Sequence, residues 1–164
     1  MHDILLERIC EFRNYSNLKL QHLDSFRIGE ALAGKKKIYF YYTPLLDQDF
    51  FAYFAMETDT DYIIFFDKKK KLKVSLEGLG IEFHNVKIFS RMLWTSKFFI
   101  RAAALVSEEL RQMEKHREHL PLLLTTDPMV KVYGFKLKDI VKIYRRNGDI
   151  VFRKVVENEN NKKN

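Results

Sequence analysis

The segment from Leu120 to Val156 carries the densest set of local folding signals in the chain. Asp127 and Pro128 form a typical helix start, because aspartate accepts hydrogen bonds from the first backbone amides and proline has the φ angle of the first helical turn. Gly134 stands where a helix commonly ends in the left-handed conformation. The sequence therefore predicts a short helix over residues 129–133.

Two predicted strands follow this helix. Residues 140–145 and 150–156 are rich in β-branched and aromatic side chains, which favour strands. Asn147-Gly148 lies between them and favours a two-residue type I′ turn, in which both residues have positive φ. The sequence predicts a tight β-hairpin.

The two-residue loop also predicts which residues share a face. The predicted pairs are Arg146 with Asp149, Ile143 with Phe152, and Val141 with Lys154. Both faces are then apolar: one carries Val141, Ile143, Ile150 and Phe152, and the other carries Ile140, Tyr144, Val151 and Val155. A unit this small cannot cover both faces alone, so we expect the N-terminal part of the chain or another protein to cover the second one.

Five short motifs lie in this segment: Leu120-Pro121, Asp127-Pro128, Tyr133-Gly134, Ile140-Val141-Lys142-Ile143 and Phe152-Arg153. As a set they resemble the C-terminal assembly domain of the fifth subunit of eukaryotic RNA polymerases, which has an equivalent small subunit in archaeal RNA polymerase. The spacing from Leu-Pro to the strand is kept without a gap. The chain departs from that family's pattern at Leu122, where a basic residue is usual, at Lys138, where a glycine is usual, and at the shortened hairpin.

The resemblance implies a non-catalytic subunit of a multi-subunit DNA-directed RNA polymerase. By that resemblance the C-terminal domain anchors on the largest subunit, beside neighbouring small subunits, and the N-terminal jaw forms part of the channel around downstream DNA. The residues implied at the largest-subunit interface are Leu120, Pro121, Asp127, Pro128, Tyr133, Gly134, Lys142, Tyr144 and Arg153. The compact turns also fit a divergent copy carried by a large DNA virus, so the expected location is the nucleus, the cytoplasm, a virus factory or a virion.

Composition is compatible with this interpretation. A chain of 164 residues with 46% hydrophobic content can form one ordinary domain, or a modest domain plus a small one. The single cysteine, Cys10, excludes an internal disulfide framework and favours a reducing compartment. The charged N-terminal residues argue against a signal peptide, and no apolar run is long enough to span a bilayer, so we expect a soluble intracellular protein without a membrane partner. The net charge of +7 suggests an anionic partner.

The N-terminal part is predicted to be α/β. A first helix begins near Asp3 and carries Leu5, Ile9 and Phe12 on one stripe. The other predicted helices cover residues 20–33, 46–56 and 72–79, and the predicted strands cover residues 37–43, 61–67 and 81–89. A helix between two apolar strands suggests a β-α-β crossover. The expected fold class is α+β, with a small α/β jaw domain followed by a small α+β assembly domain.

The expected domains are residues 1–119 and 120–156. Residues 94–117 favour helix, with a break near Val106 and a new helix start at Ser107. Pro121 disfavours the helical conformation for the residue before it, which places the boundary there. Residues 157–164 are polar and are expected to be disordered.

Lysine-rich segments are the candidate contacts to DNA phosphates. They comprise Lys35, Lys36, Lys37, Lys68, Lys69, Lys70 and Lys71. Such lysines would bind downstream duplex weakly and without sequence preference, or they would only keep turns soluble and strand edges from pairing. The aromatic residues 39–42, Phe50, Phe51, Tyr53 and Phe54 resemble a base-stacking platform, but their spacing favours core packing.

Catalysis and metal binding have little support in the sequence. His116 and His119 have a metal-ligand spacing on a helix but no convincing third ligand nearby. A metal-dependent nuclease would need converging carboxylates, for which Asp61, Asp67 and Glu82 with Lys87 are the nearest candidates. No phosphate-binding loop or nucleophile motif is present. We therefore expect no catalytic residue, metal or cofactor, and the alternative function is a free-standing basic α/β nucleic-acid-binding protein.

Overall fold

The structure is a computed structural model that describes residues 2–21, 26–52, 57–72, 80–96, 102–113, 116, 118–145 and 147–157. The chain divides into two compact units, Met1–Leu93 and Trp94–Asn164. This division lies earlier than the boundary expected between residues 119 and 120, because a strand at Ala102–Ala104 pairs with Ile140–Tyr144 in the C-terminal sheet. Both units combine helices with a sheet, which confirms the α+β class.

The N-terminal unit contains one five-stranded sheet with the strands in chain order. Its elements are α1 (His2–Arg13), β1 (Ser16–Leu20), β2 (Arg27–Ala33), β3 (Lys36–Leu46), α2 (Gln48–Ala52), β4 (Thr60–Lys69), β5 (Ile81–Asn85) and α3 (Val86–Ser96). Strand β2 pairs antiparallel with both β1 and β3, whereas β4 pairs parallel with both β3 and β5. The β3-α2-β4 segment confirms the predicted crossover.

Strand β4 is buried on both faces of this sheet. Its residues Tyr62 to Phe65 are each at most 2% exposed. On one face Phe89 of α3 packs 5.6 Å from Phe65, between ring centroids. On the other face Phe50 of α2 belongs to a core cluster with Ile64. The near-continuous apolar sequence of β4 therefore reflects cover by helices on both sides.

The helix predicted over residues 20–33 is wrong, because Leu20 is the last residue of β1 and Arg27–Ala33 forms β2. Leucine, glutamate and alanine in this segment favour helix, but pairing of β2 along β3 overrides that local preference. Gly29 lies close under α1, where an added Cβ would come within 2.9 Å of Leu6 Cδ1. The site therefore requires glycine for packing, which local propensity does not indicate.

Two other N-terminal predictions need correction or lie outside the described residues. The strand predicted over residues 81–89 ends at Asn85, because the Asn85 side chain accepts a hydrogen bond from the backbone N–H of Ile88 at 3.1 Å and α3 begins there. The helix predicted over residues 46–56 is described from Gln48 to Ala52, and the predicted residues 53–56 lie outside the described residues. The helix predicted over residues 72–79 falls almost entirely outside them.

The aromatic residues of β3 and α2 belong to the core. Tyr39, Phe40 and Phe50 are buried, and the rings of Phe50 and Phe51 lie 5.3 Å apart in an edge-to-face arrangement. The core interpretation is confirmed for these residues. Tyr53 and Phe54 lie outside the described residues.

The C-terminal unit contains a four-stranded sheet with strand order β6-β8-β9-β7. Its elements are β6 (Ala102–Ala104), α4 (Ser107–Met113), β7 (Leu122–Leu124), α5 (Pro128–Tyr133), β8 (Ile140–Tyr144) and β9 (Ile150–Val156). The helical tendency predicted over residues 94–117, with a break near Val106, is wrong at β6, because this segment pairs as a strand with β8. The predicted helix start at Ser107 is confirmed.

Helix α5 is capped as the sequence predicts. The Asp127 side chain accepts a hydrogen bond from the backbone N–H of Met129 at 2.8 Å. Gly134 is left-handed, with φ 70° and ψ 26°, and its N–H donates to the carbonyl of Val130. Helix start and helix end are both confirmed.

The hairpin is present, but its predicted turn and register are wrong. The Arg145 N–H donates to the Asp149 carbonyl at 2.8 Å, so the paired ends of the strands are Arg145 and Asp149 and the connection between them is one residue longer than predicted. Gly148 is left-handed with φ 89°, whereas Asn147 lacks the positive φ of a type I′ turn. Asn-Gly also suits a three-residue loop that ends in a left-handed glycine. The pairing is consequently shifted by one residue, and Ile143 lies opposite Val151.

In the described part of the chain, no helix combines the length and the apolar character that a membrane span requires. The tail expected to be disordered lies outside the described residues after Glu157.

Candidate protein interface and basic surfaces

One face of the C-terminal sheet is closed by α5, and we call it the core face. Its buried residues form a single cluster in which α5 contributes Val130. Half-buried apolar residues from α5, from the segment directly after α5, and from β9 pack against this cluster. The cluster contains Ala102, Leu123, Val130, Val141, Ile143 and Val155, with Met129, Tyr133, Phe135 and Val151 around it.

The opposite face of this sheet is largely apolar and partly exposed, and we call it the outer face. Residues paired across strands share a face, so the observed register defines its members. They are Ile140, Lys142 and Tyr144 of β8, Ile150, Phe152, Lys154 and Val156 of β9, and Leu122 and Leu124 of β7. The one-residue shift of the hairpin moves Ile150 and Phe152 from the face that they were predicted to share with Val141 and Ile143 to this face.

Helix α4 contacts the β8 side of the outer face. Its Glu109 Oε1 lies 3.5 Å from Lys142 Nζ, and Ile140 beside it is 1% exposed. On the β9 and β7 side, by contrast, Leu122 is 59% exposed, Leu124 40% and Ile150 45%. The outer face therefore presents large apolar side chains to solvent on this side.

Most of the predicted interface residues have roles within the unit itself. Asp127, Pro128 and Gly134 begin and end α5. Tyr133 stacks on Phe135 with ring centroids 5.3 Å apart. The other members of this group lie beside β7: Leu120 is half-buried, the Pro121 carbonyl accepts a hydrogen bond from the Lys154 N–H at 3.0 Å, and an Arg153 guanidinium nitrogen donates to the Leu122 carbonyl at 3.2 Å.

Two predicted interface residues lie on the outer face. Lys142 Nζ is 5.4 Å from the centre of the Tyr144 ring. A hydrogen bond with Tyr144, followed by smaller contributions that include Glu109, raises the pKa of Lys142. The structure brings these two residues beside Ile150 and Phe152, which the sequence reasoning did not assign to the interface.

Sequence reasoning also missed β7 and its two exposed leucines. The run of three leucines after Pro121 is a short apolar signal that could have indicated this strand. Their alternation is visible only in the structure, where Leu123 is buried between exposed Leu122 and Leu124.

The two lysine-rich segments lie at opposite ends of the parallel strands. Lys37 is opposite Thr60 at the start of β4, whereas Lys68 is opposite Leu45 near the end of β3. Eight residues of strand separate these positions, which corresponds to about 26 Å. The two segments therefore do not form a single patch.

Some of these lysines interact with groups of the chain. Lys36 Nζ forms an ion pair with Asp61 at 2.7 Å, and Lys70 Nζ lies 3.5 Å from Asp47. Lys69 Nζ lies 5.6 Å from the centre of the Phe83 ring. Lys35, Lys37, Lys68 and Lys71 are exposed.

The carboxylates weighed for nuclease chemistry do not converge. Asp61 and Asp67 lie six residues apart on β4, a distance of about 20 Å along the strand. Glu82 is 2.9 Å from Arg13, and Asp67 accepts a hydrogen bond from the Tyr42 hydroxyl at 2.7 Å. That hydrogen bond raises the pKa of Tyr42.

No group of three or more metal-binding side chains occurs among the residues that the structure describes. His116 and His119 are connected by a backbone hydrogen bond of 3.1 Å from the His119 N–H to the His116 carbonyl. Lys87, the lysine weighed for nuclease chemistry, is exposed on α3.

A buried charged cluster joins α1 to β5, and the sequence did not indicate it. The Arg13 side chain is 2% exposed and lies 2.9 Å from Glu82 Oε2. His84 Nε2 approaches the same carboxylate oxygen at 3.2 Å, and the Tyr15 hydroxyl is 3.5 Å from Arg13. Burial opposes the charge of Arg13, but Glu82 and Tyr15 outweigh this effect and raise its pKa.

Comparison with known proteins finds a family that matches the C-terminal unit. Residues 102–155 match the family described as RNA polymerase Rpb5, C-terminal domain. The matched region begins in β6 and ends in β9, so it covers all four strands of the C-terminal sheet.

A curated relative supports the same family. The DNA-directed RNA polymerase subunit Rpo5 of Methanothermobacter thermautotrophicus is 47% identical over 38 residues, which are 23% of this chain and 49% of that protein. The match therefore spans about half the length of this relative. Together with the family match, it confirms the resemblance to the fifth polymerase subunit and its archaeal equivalent for the C-terminal part.

Proposed function

We propose that this chain is a non-catalytic structural subunit of a multi-subunit DNA-directed RNA polymerase. The observation that carries the proposal is the Rpb5 C-terminal domain over residues 102–155, supported by the similarity to an archaeal polymerase subunit. The chain acts during transcription as a component of the assembled polymerase.

The C-terminal unit anchors the chain on the largest subunit, beside neighbouring small subunits. The exposed apolar side chains of the outer face support this role, because a soluble monomer gains from covering such a contiguous surface. Leu122, Leu124 and Ile150 are the exposed residues we assign to the contact, together with the predicted residues Lys142 and Tyr144. Asp127, Pro128 and Gly134 contribute by shaping α5.

The N-terminal unit acts as a jaw beside downstream duplex DNA. Lys68 and Lys71 are exposed at the carboxyl ends of the parallel strands, where they are available to phosphates. Such contacts are weak and independent of sequence. Replacing Lys68, Lys69, Lys70 and Lys71 with glutamine should lower the slope of log affinity against log salt for the assembled polymerase by up to ~0.9 per lost contact.

The chain has no catalytic role of its own in this proposal. The separation of Asp61 from Asp67, and the pairing of Glu82 with Arg13, support that assignment. Asp61→Asn and Glu82→Gln should therefore change only local stability. Cleavage of DNA by the purified chain with Mg²⁺ or Mn²⁺, abolished by either substitution, would contradict the proposal.

Deletion of the C-terminal unit tests the anchor. A tagged chain that lacks residues 94–164 should not co-purify with RNA-synthesis activity, whereas the full chain should. A chain that lacks only residues 158–164 is the control and should co-purify normally. Recovery of the larger deletion in active polymerase would exclude the C-terminal anchor.

The alternative is a free-standing basic nucleic-acid-binding protein, which the exposed lysines of the N-terminal unit favour. It predicts tight DNA binding by the isolated chain and no RNA-synthesis activity bound to the tagged full chain. Our proposal predicts the reverse on both measurements.

A further inference from the structure

Lys154 is a cation in the middle of the apolar outer face. Across the strands it lies opposite Ile140 on one side and Leu122 on the other. Along β9 its neighbours on the same face are Phe152 and Val156, because side chains two residues apart share a face. Four apolar residues therefore surround the stem of this lysine.

Within the described part of the chain, Lys154 has no carboxylate partner. The nearest lysine on the same face, Lys142, lies 3.5 Å from Glu109, and in α4 Glu108 is paired with Arg111. Lys154 is half-buried, which is typical of a lysine that packs its aliphatic stem on apolar neighbours and keeps its ammonium group in water.

A partner that covers this face would remove the water around the Lys154 ammonium group. Covering Leu122, Phe152 and Val156 with apolar side chains also removes water from Lys154, and a buried unpaired charge is strongly unfavourable. A carboxylate on the covering surface would compensate that loss and fix the register of the contact.

We propose that the outer face binds a polymerase segment that places an aspartate or glutamate on Lys154, between apolar side chains that cover Leu122 and Phe152. This inference rests on the proposed function, since it specifies the chemistry of the surface on which the C-terminal unit anchors. Charge complementarity selects the occupant: the face is apolar with a central unpaired cation, so its partner is apolar with a central acid.

A different role for the same residue makes the opposite prediction. In this alternative, the only role of an isolated lysine on an apolar sheet face is to prevent association with wrong partners. In that case removing its charge leaves polymerase binding unchanged or strengthens it. If the lysine pairs with a carboxylate, removing its charge weakens binding.

The experiment is a competition for assembly between two full-length chains. Wild-type chain with one tag and a variant with another tag are co-expressed with the polymerase, and their ratio is measured in the fraction that retains RNA-synthesis activity. Lys154→Met should reduce incorporation roughly 30-fold, and Lys154→Glu should reduce it further, because each leaves the partner carboxylate buried without its cation.

Lys131→Met is the matched control. It removes the same charge from the exposed surface of α5, the helix that packs on the core face, and should leave incorporation unchanged. Circular dichroism of each free chain checks folding, and Lys154→Gln replaces Lys154→Met if that variant aggregates.

The outcomes separate the inference from the proposed function. Normal or increased incorporation of Lys154→Met or Lys154→Gln overturns the carboxylate contact, even if deletion of residues 94–164 still abolishes assembly. Failure of the deletion to prevent assembly overturns the proposed anchor as well. Reduced incorporation of the Lys154 variants with normal Lys131→Met supports the contact.

Discussion

The two units cover their sheets differently. In the N-terminal unit, helices close both faces, so four consecutive residues of β4, Tyr62 to Phe65, are buried. In the C-terminal unit α5 closes one face, and β9 places fully buried Val155 on that core face and Ile150, which is 45% exposed, on the outer face. A strand buried on both sides needs no further cover, whereas exposed apolar side chains on one face, among the residues that the structure describes, suit the contact with another molecule that we propose.

The largest expected effect is a difference in stability between variants that place a charge on the core face and on the outer face of the C-terminal sheet. Val141→Asp introduces a charge into the core face and should destabilise this unit by about 4 kcal/mol or more. Leu122→Asp introduces the same charge on the outer face and should change stability by less than ~0.5 kcal/mol. Urea titration followed by amide hydrogen exchange in β8 measures both effects.

Similar losses of stability in both variants would contradict this difference between the two faces. That result would mean that the outer face is as important to the isolated fold as the core face. It would remove the reason for assigning this face to a partner.

The second prediction concerns the charged cluster inside the N-terminal unit. Arg13→Met leaves Glu82 without its guanidinium partner in a site where Arg13 is 2% exposed. The substitution should destabilise the unit by roughly 3 kcal/mol or more, and the double variant Arg13→Met with Glu82→Met should recover part of the loss. Urea unfolding monitored by far-ultraviolet circular dichroism measures each variant.

Arg8→Met is the control for this cluster. Arg8 pairs with Glu11 at 2.7 Å, but both side chains are more than half exposed. Loss of an exposed pair should cost at most ~0.5 kcal/mol. If Arg8→Met and Arg13→Met had equal effects, the buried cluster would not contribute to the self-sufficiency of this unit.

The third prediction uses the buried thiol beside this cluster. Burial raises the pKa of Cys10 from 9.0 to about 11, against an opposing effect of Arg13. The folded state therefore holds the proton more tightly than the unfolded state, and the resulting stability is present below pH 9 and is lost as the pH rises through about 11. The loss should be on the order of 2 to 3 kcal/mol.

Cys10→Ala isolates this contribution. The variant should be less stable than wild type near neutral pH, but its stability should fall less between pH 9 and 11. Tyr41 and Tyr42, whose pKa values are also raised, contribute equally to both chains. Parallel alkaline curves for the two proteins would contradict a role for the thiol.

The features that the sequence predicted correctly depend on local chemistry. Asp127, Pro128 and Gly134 define α5 because each acts through its own backbone or its immediate neighbours. The features that it missed depend on residues distant in sequence. Strand β2 exists because β3 pairs with it, and the ion pair of Arg13 joins residues 69 positions apart.

The hairpin lies between these two cases. Asn147-Gly148 correctly predicted a turn, but the same pair suits loops of two or three residues, and only the observed hydrogen bonds select between them. The one-residue shift changed the membership of both faces. The outer face, and Lys154 within it, could therefore not be derived from the sequence alone.

The smallest expected effect concerns a strained residue before β8. Lys138 has φ 74°, a left-handed conformation that costs a non-glycine residue about 1 kcal/mol. The Asp139 N–H donates to the Lys136 carbonyl at 3.1 Å, so Lys138 is the third residue of a tight turn, where glycine is favoured. Lys138→Gly should stabilise the C-terminal unit by roughly 0.5 to 1 kcal/mol, measured by urea unfolding. Lys136→Gly, in the same turn but without a positive φ, is the control and should not stabilise the unit. A loss of stability in Lys138→Gly would show that the lysine side chain contributes more than its backbone strain costs.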